Sequence, residues 1–487
     1  MKLFIDDKTN SAKPLYYQSL VLLFFPCERF GEKDDDNNKL FIDAFEKDGK
    51  YFATVKFEIS DRVECLSDSE DVIVGKYSQM KNLIGRTLIR TAGKIVDTVT
   101  PWGISTGVKP VKLARMFVDS LGLDEAYNVL CNDYLITPSK AKMAVNACLN
   151  EQRIMSGLGS NPCSLYISIP FCPTKCNYCS FVSCTTPKLL SLIPDYLSAL
   201  KSELVFISET VKELGLDIKS IYVGGGTPAI LDEKQIGYLL DSVHSLFKYD
   251  DNCEFTFEAG RPDCINFEKL SVLKDFGIER VSINTQTTND TVLNCVGRNH
   301  TYFDYIKAME MAKKIGFKCI NTDLIAGLPG EDADSFKKSV RDVASLSPEN
   351  LTIHAFTLKK ASDYRIRGEK DLISDDLKAV EMSEYAFDYL SVAGYNPYYV
   401  YRQKNTVGNL ENVGYSKPGF ESIYNIVMMG EYHTVFGAGA GSVTKLVTNN
   451  GDRVDRIFAP KYPYEFLDTS KYGGFDTKSV LKILKER

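Results

Sequence analysis

The chain has 487 residues, more than a single hydrophobic core usually serves, so two or three domains are expected. Hydrophobic residues make up 44% of it, and 58 Lys and Arg against 64 Asp and Glu give a net charge of −6. This balance argues against a general nucleic-acid binder, which would carry a basic patch. The longest early apolar stretch, Leu20 to Phe25, is too short to span a membrane, and no signal peptide is evident. We therefore expect a cytoplasmic protein without a membrane span.

Residues 1–157 are predicted to form an α+β domain of unknown role. The segment Tyr51–Phe57 alternates like a strand, and Asp48-Gly49 separates it from the apolar run Leu40–Phe45. Asp-Gly between strand-like segments is typical of a hairpin turn. Further along, Ser139–Met155 has a helical pattern and is predicted to be a helix.

From Leu165 onward, short apolar runs alternate with amphipathic helical patterns. The predicted strands are Leu165–Ile169, Ile221–Val223, Phe255–Phe257, Arg280–Asn284, Cys319–Ile325 and Leu351–Phe356. The predicted helices between them are Leu190–Leu214, Glu233–Phe247, Phe267–Phe276, Phe303–Ile315 and Asp334–Leu346. Strands separated by helices predict a parallel sheet with right-handed crossovers. Six such units are too few for a full barrel, so we predict an α/β fold with a partial (β/α)6 TIM-like barrel over residues 158–358.

After residue 358 this alternation stops. Asp375–Ala393 is predicted to be a helix, and a Tyr-rich segment and the glycine-rich run Gly437–Gly441 follow it. We predict that residues 359–487 form a small C-terminal module that covers the barrel mouth.

Three cysteines, Cys172, Cys176 and Cys179, follow the first barrel strand directly, where a parallel barrel places its active-site loops. Thiolates at this spacing can hold three irons of a [4Fe–4S] cluster, which leaves the fourth iron a coordination position for a small molecule. A zinc site is the alternative. Structural zinc usually takes four ligands as two spaced pairs, and no second pair is evident, since Cys163 and Cys184 complete no familiar zinc spacing.

Polar or glycine residues end the later strands. The second strand ends in Gly224–Pro228, a GGGTP run whose missing side chains let the backbone approach a ligand closely. Glu258, Gln286 and Asp323 end the next three strands and can hydrogen-bond ribose hydroxyls or an adenine edge, and Arg298 can pair with a carboxylate. Each residue alone is more often a structural polar group. Together, at successive strand ends, they predict the lining of one site.

This ordered set of motifs resembles the oxygen-independent coproporphyrinogen III oxidase family of radical S-adenosylmethionine (SAM) proteins, and within it the HemZ branch. The resemblance covers about residues 163–442. It is carried by YISIPFC from Tyr166, the CxxxCxxC loop, GGGTP, EAGRP from Glu258, RVSINTQ from Arg280 and DLIAGLP from Asp323.

The resemblance implies a radical SAM barrel with two cofactors, a [4Fe–4S] cluster on the three cysteines and SAM, and no catalytic residue beyond the cluster. By motif position, SAM binding is assigned to Tyr166, Gly225, Gly226, Thr227, Glu258, Gln286, Arg298 and Asp323. The implied reaction of heme biosynthesis is oxidative decarboxylation of coproporphyrinogen III to protoporphyrinogen IX. The implied partners are a tetrapyrrole substrate and a reducing electron-transfer protein such as flavodoxin or ferredoxin. Candidate anchors for the substrate carboxylates are Arg261, Arg402 and Lys404.

Two positions depart from the best-established decarboxylases of the family. Ser168 stands where they have a histidine, and Phe181 stands where they have a fourth cysteine. Phe181 is more typical of the HemW branch, a heme-binding chaperone, although His354 is the only histidine expected at the barrel mouth. Three functions therefore stay open: the decarboxylase, a heme chaperone, and a radical SAM enzyme that acts on another tetrapyrrole.

Overall fold

The computed structural model describes residues 1–26, 28–30, 38–358, 362–366, 376–403, 406–448, 451, 453–468 and 474–485. Lys404, a predicted substrate anchor, lies outside these residues. The chain divides into two compact units, Met1–Val145 with Arg402–Leu410 and Asn146–Tyr401 with Glu411–Arg487. The domain boundaries at residues 157 and 358 remain predictions.

The first unit is built on a four-stranded sheet in the order β1-β2-β3-β4. Its elements are β1 (Lys2–Asp7), α1 (Pro14–Phe24), β2 (Lys39–Lys47), β3 (Lys50–Ile59), β4 (Arg62–Asp71), α2 (Gln79–Gly93), α3 (Pro110–Leu121), α4 (Leu123–Asn132) and the start of α5 (Pro138–Met155). Asp48 and Gly49 have positive φ angles and join β2 to β3 as a two-residue turn. This turn confirms the predicted hairpin. The helix predicted over Ser139–Met155 is confirmed as α5.

The second unit alternates strands and helices along most of its length. Its strands are β5 (Pro162–Ile169), β6 (Asp217–Gly225), β7 (Glu254–Gly260), β8 (Arg280–Ile283), β9 (Cys319–Ala326), β10 (Asn350–Ala355), β11 (Asn396–Arg402), β12 (Glu411–Ser416), β13 (Thr434–Ala438), β14 (Val443–Thr448) and β15 (Arg453–Phe458). Its helices are α6 (Pro187–Leu190), α7 (Ile193–Glu213), α8 (Glu233–Leu246), α9 (Phe267–Asp275), α10 (Asp290–Cys295), α11 (Tyr302–Ile315), α12 (Ala333–Ser345), α13 (Asp363–Ile366), α14 (Asp376–Val392), α15 (Ile423–Gly430), α16 (Pro463–Phe466) and α17 (Thr477–Lys485).

The strands of this unit form one sheet in the order β11-β12-β10-β9-β8-β7-β6-β5-β13-β14-β15. The six strands β5 to β10 are neighbours in chain order and pair in parallel. The six predicted βα units are thus confirmed. Strand β12 pairs antiparallel with β10 at one side, and β13 pairs parallel with β5 at the other, so the C-terminal part extends the sheet of the barrel.

Helix starts in the barrel follow local sequence signals. Asp232 before α8 and Thr301 before α11 form capping boxes with Gln235 and Asp304, in which side chains satisfy free backbone N–H groups. Helix α11 ends at Ile315, and Gly316 directly after it adopts the left-handed conformation that glycine favours. The two capping boxes fix the N-terminal ends of α8 and α11, which come after β6 and β8 in the chain.

No helix in the described ranges combines the length and the apolar composition that a bilayer crossing requires.

Candidate functional site

The three cysteines lie on the loop that follows β5. Cys172 and Cys176 are buried and Cys179 is partly buried. A short parallel pairing holds the loop at its start. The N–H of Cys172 donates to the carbonyl of Cys184 at 3.1 Å, and the N–H of Cys184 donates to the carbonyl of Pro170 at 3.0 Å. Cys184 therefore braces the loop through its backbone.

A second anchor holds the middle of the loop. The backbone N–H of Asn177 donates to the carbonyl of Val296 at 3.0 Å, and its side-chain amide donates to the carbonyl of Cys295, also at 3.0 Å. Gly297 follows with a φ of 77°, and a Cβ there would lie 3.4 Å from the Asn177 side chain. The loop is thus fixed both at β5 and at the end of α10.

The cysteines fit an iron–sulfur cluster better than a single metal ion. In the described part of the chain, no three His, Cys, Asp or Glu side chains are placed to hold one ion. In a [4Fe–4S] cluster each thiolate binds a different iron, so the sulfurs surround a larger group. Burial raises the pKa of the Cys172 and Cys179 thiols, so metal binding has to displace their protons.

The predicted glycine-rich turn lies directly against the cysteine loop. The N–H of Gly226 donates to the carbonyl of Ile169 at 2.8 Å, and that of Thr227 donates to the carbonyl of Phe171 at 2.8 Å. The Thr227 hydroxyl donates to Cys172 Sγ at 3.4 Å. A Cβ at Gly226 would lie 2.9 Å from that sulfur and 2.5 Å from the Phe171 oxygen. This turn, here called the Gly226 cradle, therefore contacts the cysteine loop so closely that only glycine fits at position 226.

Five of the predicted SAM-binding residues influence one another directly. Burial, followed by the charge of Asp323, raises the pKa of Glu258 to about 8, against the opposing effects of a backbone hydrogen bond from Gly225 and the charge of Arg298. Burial also raises the pKa of Tyr166, and the charge of Glu258 adds to that shift. A carboxyl group with a raised pKa among other ionisable groups is typical of a functional site.

Asp323 belongs to a polar network that extends beyond the predicted residues. Its Oδ1 accepts from the Asn321 amide at 2.9 Å, and its Oδ2 lies 3.7 Å from Nε2 of His354. Nδ1 of His354 lies 3.1 Å from Oδ1 of Asn412, which also accepts the N–H of Ala355 at 3.2 Å. Burial raises the pKa of Asp323, but the interactions with His354 and Asn321 outweigh it and lower the pKa below its usual value. Asp323 is therefore ionised.

Gln286 and Arg298 complete the predicted set. Gln286 has a φ of 74°, which is strained for a non-glycine residue, and its N–H donates to the carbonyl of Asp323 at 2.9 Å. The buried Arg298 donates from Nε to the Tyr178 hydroxyl at 3.2 Å and from Nη1 to the carbonyl of Asn284 at 3.4 Å. Since Tyr178 lies within the cysteine loop, Arg298 connects the fourth strand end to that loop.

Two predicted substrate anchors are engaged within the protein. Arg261 is buried, and its guanidinium forms a bidentate pair with Asp263 at 2.9 and 2.8 Å. Arg402 is also buried, donates to the carbonyls of Ser105 and Gly107, and lies over the ring of Trp102. These internal partners compete with any substrate carboxylate for the two guanidinium groups. The role of Arg261 and Arg402 as substrate anchors stays a prediction.

An aromatic stack that sequence analysis missed lies beside the site. The ring of Tyr166 stacks on those of Tyr222 and Tyr424 with centroid distances of 6.3 and 6.0 Å, and the latter two are 4.5 Å apart. Tyr424 belongs to α15, whose first turn is capped by Glu254: the carboxylate accepts from the N–H groups of Ile423 and Tyr424 at 2.8 and 3.1 Å. No sequence motif signals this long-range cap.

His300 is another buried side chain that no sequence motif predicts. Both ring nitrogens lack a hydrogen-bond partner among the described residues. Burial and the charge of Arg298 lower its pKa to about 4, so it is neutral near pH 7. Arg261 and Arg298 are buried positive charges near the cysteine loop, which itself carries Lys175.

Comparison with known proteins matches residues 166–343 to the model of the Radical SAM superfamily. Over 394 residues, which cover 80% of this chain and 79% of the relative, the chain is 36% identical to the oxygen-independent coproporphyrinogen-III oxidase-like protein HemZ of Bacillus subtilis. It is 32% identical to the heme chaperone HemW of the same organism, over 62% of this chain and 77% of that protein.

Among solved structures, coproporphyrinogen III oxidase (HemN) from Escherichia coli, described as a radical SAM enzyme, superposes with a TM-score of 0.52. The match has 21% sequence identity and covers 66% of this chain and 73% of that one. At this identity the likeness supports the fold.

Proposed function

The chain belongs to the oxygen-independent coproporphyrinogen III oxidase-like family of radical SAM proteins, and from this premise we propose that it decarboxylates coproporphyrinogen III to protoporphyrinogen IX without oxygen. Proteins of this superfamily use a [4Fe–4S] cluster and SAM. The observation that carries the proposal is the cysteine loop, with Cys172 and Cys176 buried, seated on the Gly226 cradle, with Glu258 of β7 next to the same glycine turn and Asp323 of β9 close enough to Glu258 to influence its charge.

Cys172, Cys176 and Cys179 would hold the cluster, and their spacing leaves one iron free for SAM. When bound, the cluster and SAM would supply a 5′-deoxyadenosyl radical to the site. Conversion of each of two propionate side chains to a vinyl group would require transfer of one hydrogen atom to this radical, loss of carbon dioxide and transfer of one electron to an external acceptor. The protein itself would bind and orient SAM and the substrate and exclude water from the site, because the cofactors carry the difficult chemistry.

Different residues of the chain would bind different parts of SAM. The backbone of Gly225 and Gly226 and the hydroxyl of Thr227 would line the methionyl end. Arg298, a buried cation next to the loop, would pair with the SAM carboxylate. Glu258 and Asp323 would accept hydrogen bonds from the ribose hydroxyls, and Tyr166 and Gln286 would complete the lining.

Replacement of Glu258 by glutamine is expected to flatten the pH dependence of stability and to weaken SAM binding. The folded chain keeps the Glu258 proton up to a pKa of about 8, whereas the unfolded chain releases it near its ordinary value of 4.5. Between these values the unfolded state binds fewer protons, so the group's contribution to the free energy of unfolding falls as pH rises. The variant should therefore melt higher than wild type at about pH 9, and the difference should vanish near about pH 5.

Thermal melts across pH, with SAM binding followed by calorimetry on the reconstituted protein, measure both effects. Glu268→Gln on the exposed side of α9 is the matched control and should change neither. An unchanged pH profile in Glu258→Gln would contradict the assigned environment of this carboxyl.

A heme chaperone like HemW is the second candidate. It is favoured by Phe181, which is 63% exposed two residues after the last cysteine, and by the similarity to HemW proteins. An anaerobic assay with reductant, SAM and coproporphyrinogen III separates the two candidates. The decarboxylase produces carbon dioxide and a divinyl product, with a reduced flavodoxin or ferredoxin as the physiological electron donor. Stoichiometric heme uptake without substrate-dependent 5′-deoxyadenosine would support the chaperone and overturn the decarboxylase.

A further inference from the structure

Arg261 lies directly after an irregularity in strand pairing. The register between β7 and β8 shifts between Glu258 and Gly260, and Gly260 has a φ of 70°. The carbonyl of Gly260 accepts the N–H of Asn284 at 2.7 Å, which closes the bulge. Bulges commonly re-aim a side chain next to a functional site. The residue that follows the bulge is Arg261, and its side chain contacts Thr174 and Cys176 of the cysteine loop.

All three nitrogens of the buried Arg261 guanidinium have partners. Nε and Nη2 donate to the two oxygens of Asp263 at 2.9 and 2.8 Å. Nη1 donates to the hydroxyl of Thr174 at 2.7 Å and lies 3.9 Å from Sγ of Cys176. The bidentate pair fixes the plane of the guanidinium, so one N–H edge is held against the cysteine loop.

We propose that Arg261 is a positioning residue that raises the reduction potential of the cluster through the sulfur of Cys176. The inference rests on the proposed function, since it requires a cluster on Cys172, Cys176 and Cys179. Reduction adds one electron, from a reduced electron-transfer protein or a chemical reductant, and makes the cluster more negative. A fixed cation and an N–H group at a ligand sulfur stabilise that reduced state, and burial strengthens the effect.

The charges around Cys176 determine the direction in which each substitution should shift the midpoint potential of the cluster. Arg261 and Arg298 are cations near this sulfur, Lys175 directly precedes Cys176 in the chain, and Asp263 is the counter-charge of Arg261. Burial raises the pKa of Asp263, but the hydrogen bonds and charge of Arg261 outweigh it and keep the pKa below its usual value, so Asp263 is ionised. Removal of the cation should lower the potential, and removal of the counter-charge should raise it.

The test is an anaerobic redox titration of the reconstituted protein, with the reduced cluster followed by electron paramagnetic resonance (EPR). Arg261→Met should hold wild-type iron and sulfide but show a more negative midpoint potential. Asp263→Asn should shift the midpoint in the opposite direction. Thr174→Val removes a brace of the loop without removing the contact between Arg261 and Cys176, so its midpoint should stay at the wild-type value.

Unchanged midpoints in both Arg261→Met and Asp263→Asn would overturn the proposal, and so would a shift in Thr174→Val equal to that in Arg261→Met. Because the two charge variants are expected to move in opposite directions, general damage to the loop cannot imitate the result. If Arg261→Met does not fold, the upward shift in Asp263→Asn decides alone. A wild-type protein that binds no cluster would instead refute the proposed function itself.

Discussion

Replacement of Cys176 by alanine is expected to leave the purified protein with an under-filled or absent cluster and without detectable cleavage of SAM. Three cysteines on the loop after β5 have the CxxxCxxC spacing, and each would bind a different iron of the cluster, whereas Cys184 on the same loop lies outside this motif. Two sulfurs cannot hold a cubane that also leaves one iron open. Iron and sulfide content, visible absorbance and 5′-deoxyadenosine formation under reducing conditions measure the effect.

Cys253→Ala is the matched control for this experiment. Cys253 lies before β7, at the opposite strand end from the cysteine loop, so its replacement should leave iron content and SAM cleavage unchanged. A Cys176→Ala protein with normal iron, sulfide and SAM cleavage would refute the assignment of the cluster ligands.

Replacement of Gly226 by alanine is expected to reduce cluster occupancy several-fold. The added Cβ would lie 2.5 Å from the Phe171 carbonyl oxygen and 2.9 Å from the sulfur of Cys172. Real Cβ atoms do not approach other atoms so closely, and the obstacle is partly backbone, so the cysteine loop has to shift. Overpacking of this kind costs about 1–3 kcal/mol of stability and moves one cluster ligand out of place.

Gly237→Ala provides a matched comparison for the Gly226 variant. Gly237 lies within α8, and a Cβ there would meet only the Phe276 ring at 3.8 Å, an ordinary contact. Alanine stabilises a helix interior by about 1 kcal/mol relative to glycine, so this variant should melt higher and load its cluster normally. Equal iron content in the Gly226 and Gly237 variants would show that the cradle does not position Cys172.

The barrel could be predicted from the sequence because its signals are local. Each of the six strands is a short apolar run and each helix has an amphipathic period, and all six βα units are present in the structure. The cysteine loop and the glycine turn could be predicted for the same reason: their residues are close in sequence and follow a strand. Parallel strands then bring successive strand ends to one edge of the sheet.

The remaining features depend on contacts between distant segments. Asn412, which orients His354, belongs to the antiparallel strand β12, and nothing near it in sequence indicates that pairing. Tyr424, which belongs to the aromatic stack, lies in a helix whose first turn is capped by Glu254, 170 residues earlier. Arg261 resembles a free cation in the sequence, but after the bulge its side chain contacts Thr174 and Cys176. Sequence patterns report which face of an element is apolar, not which distant polar group it will meet.

EPR spectra of the reduced, reconstituted wild-type protein with and without SAM test whether the three-cysteine loop holds a cluster with one open iron. The account predicts a [4Fe–4S] signal whose line shape changes when SAM is added, because SAM occupies the iron that no cysteine binds. A signal that SAM leaves unchanged, or a protein that takes up zinc in place of an iron–sulfur cluster, would contradict it.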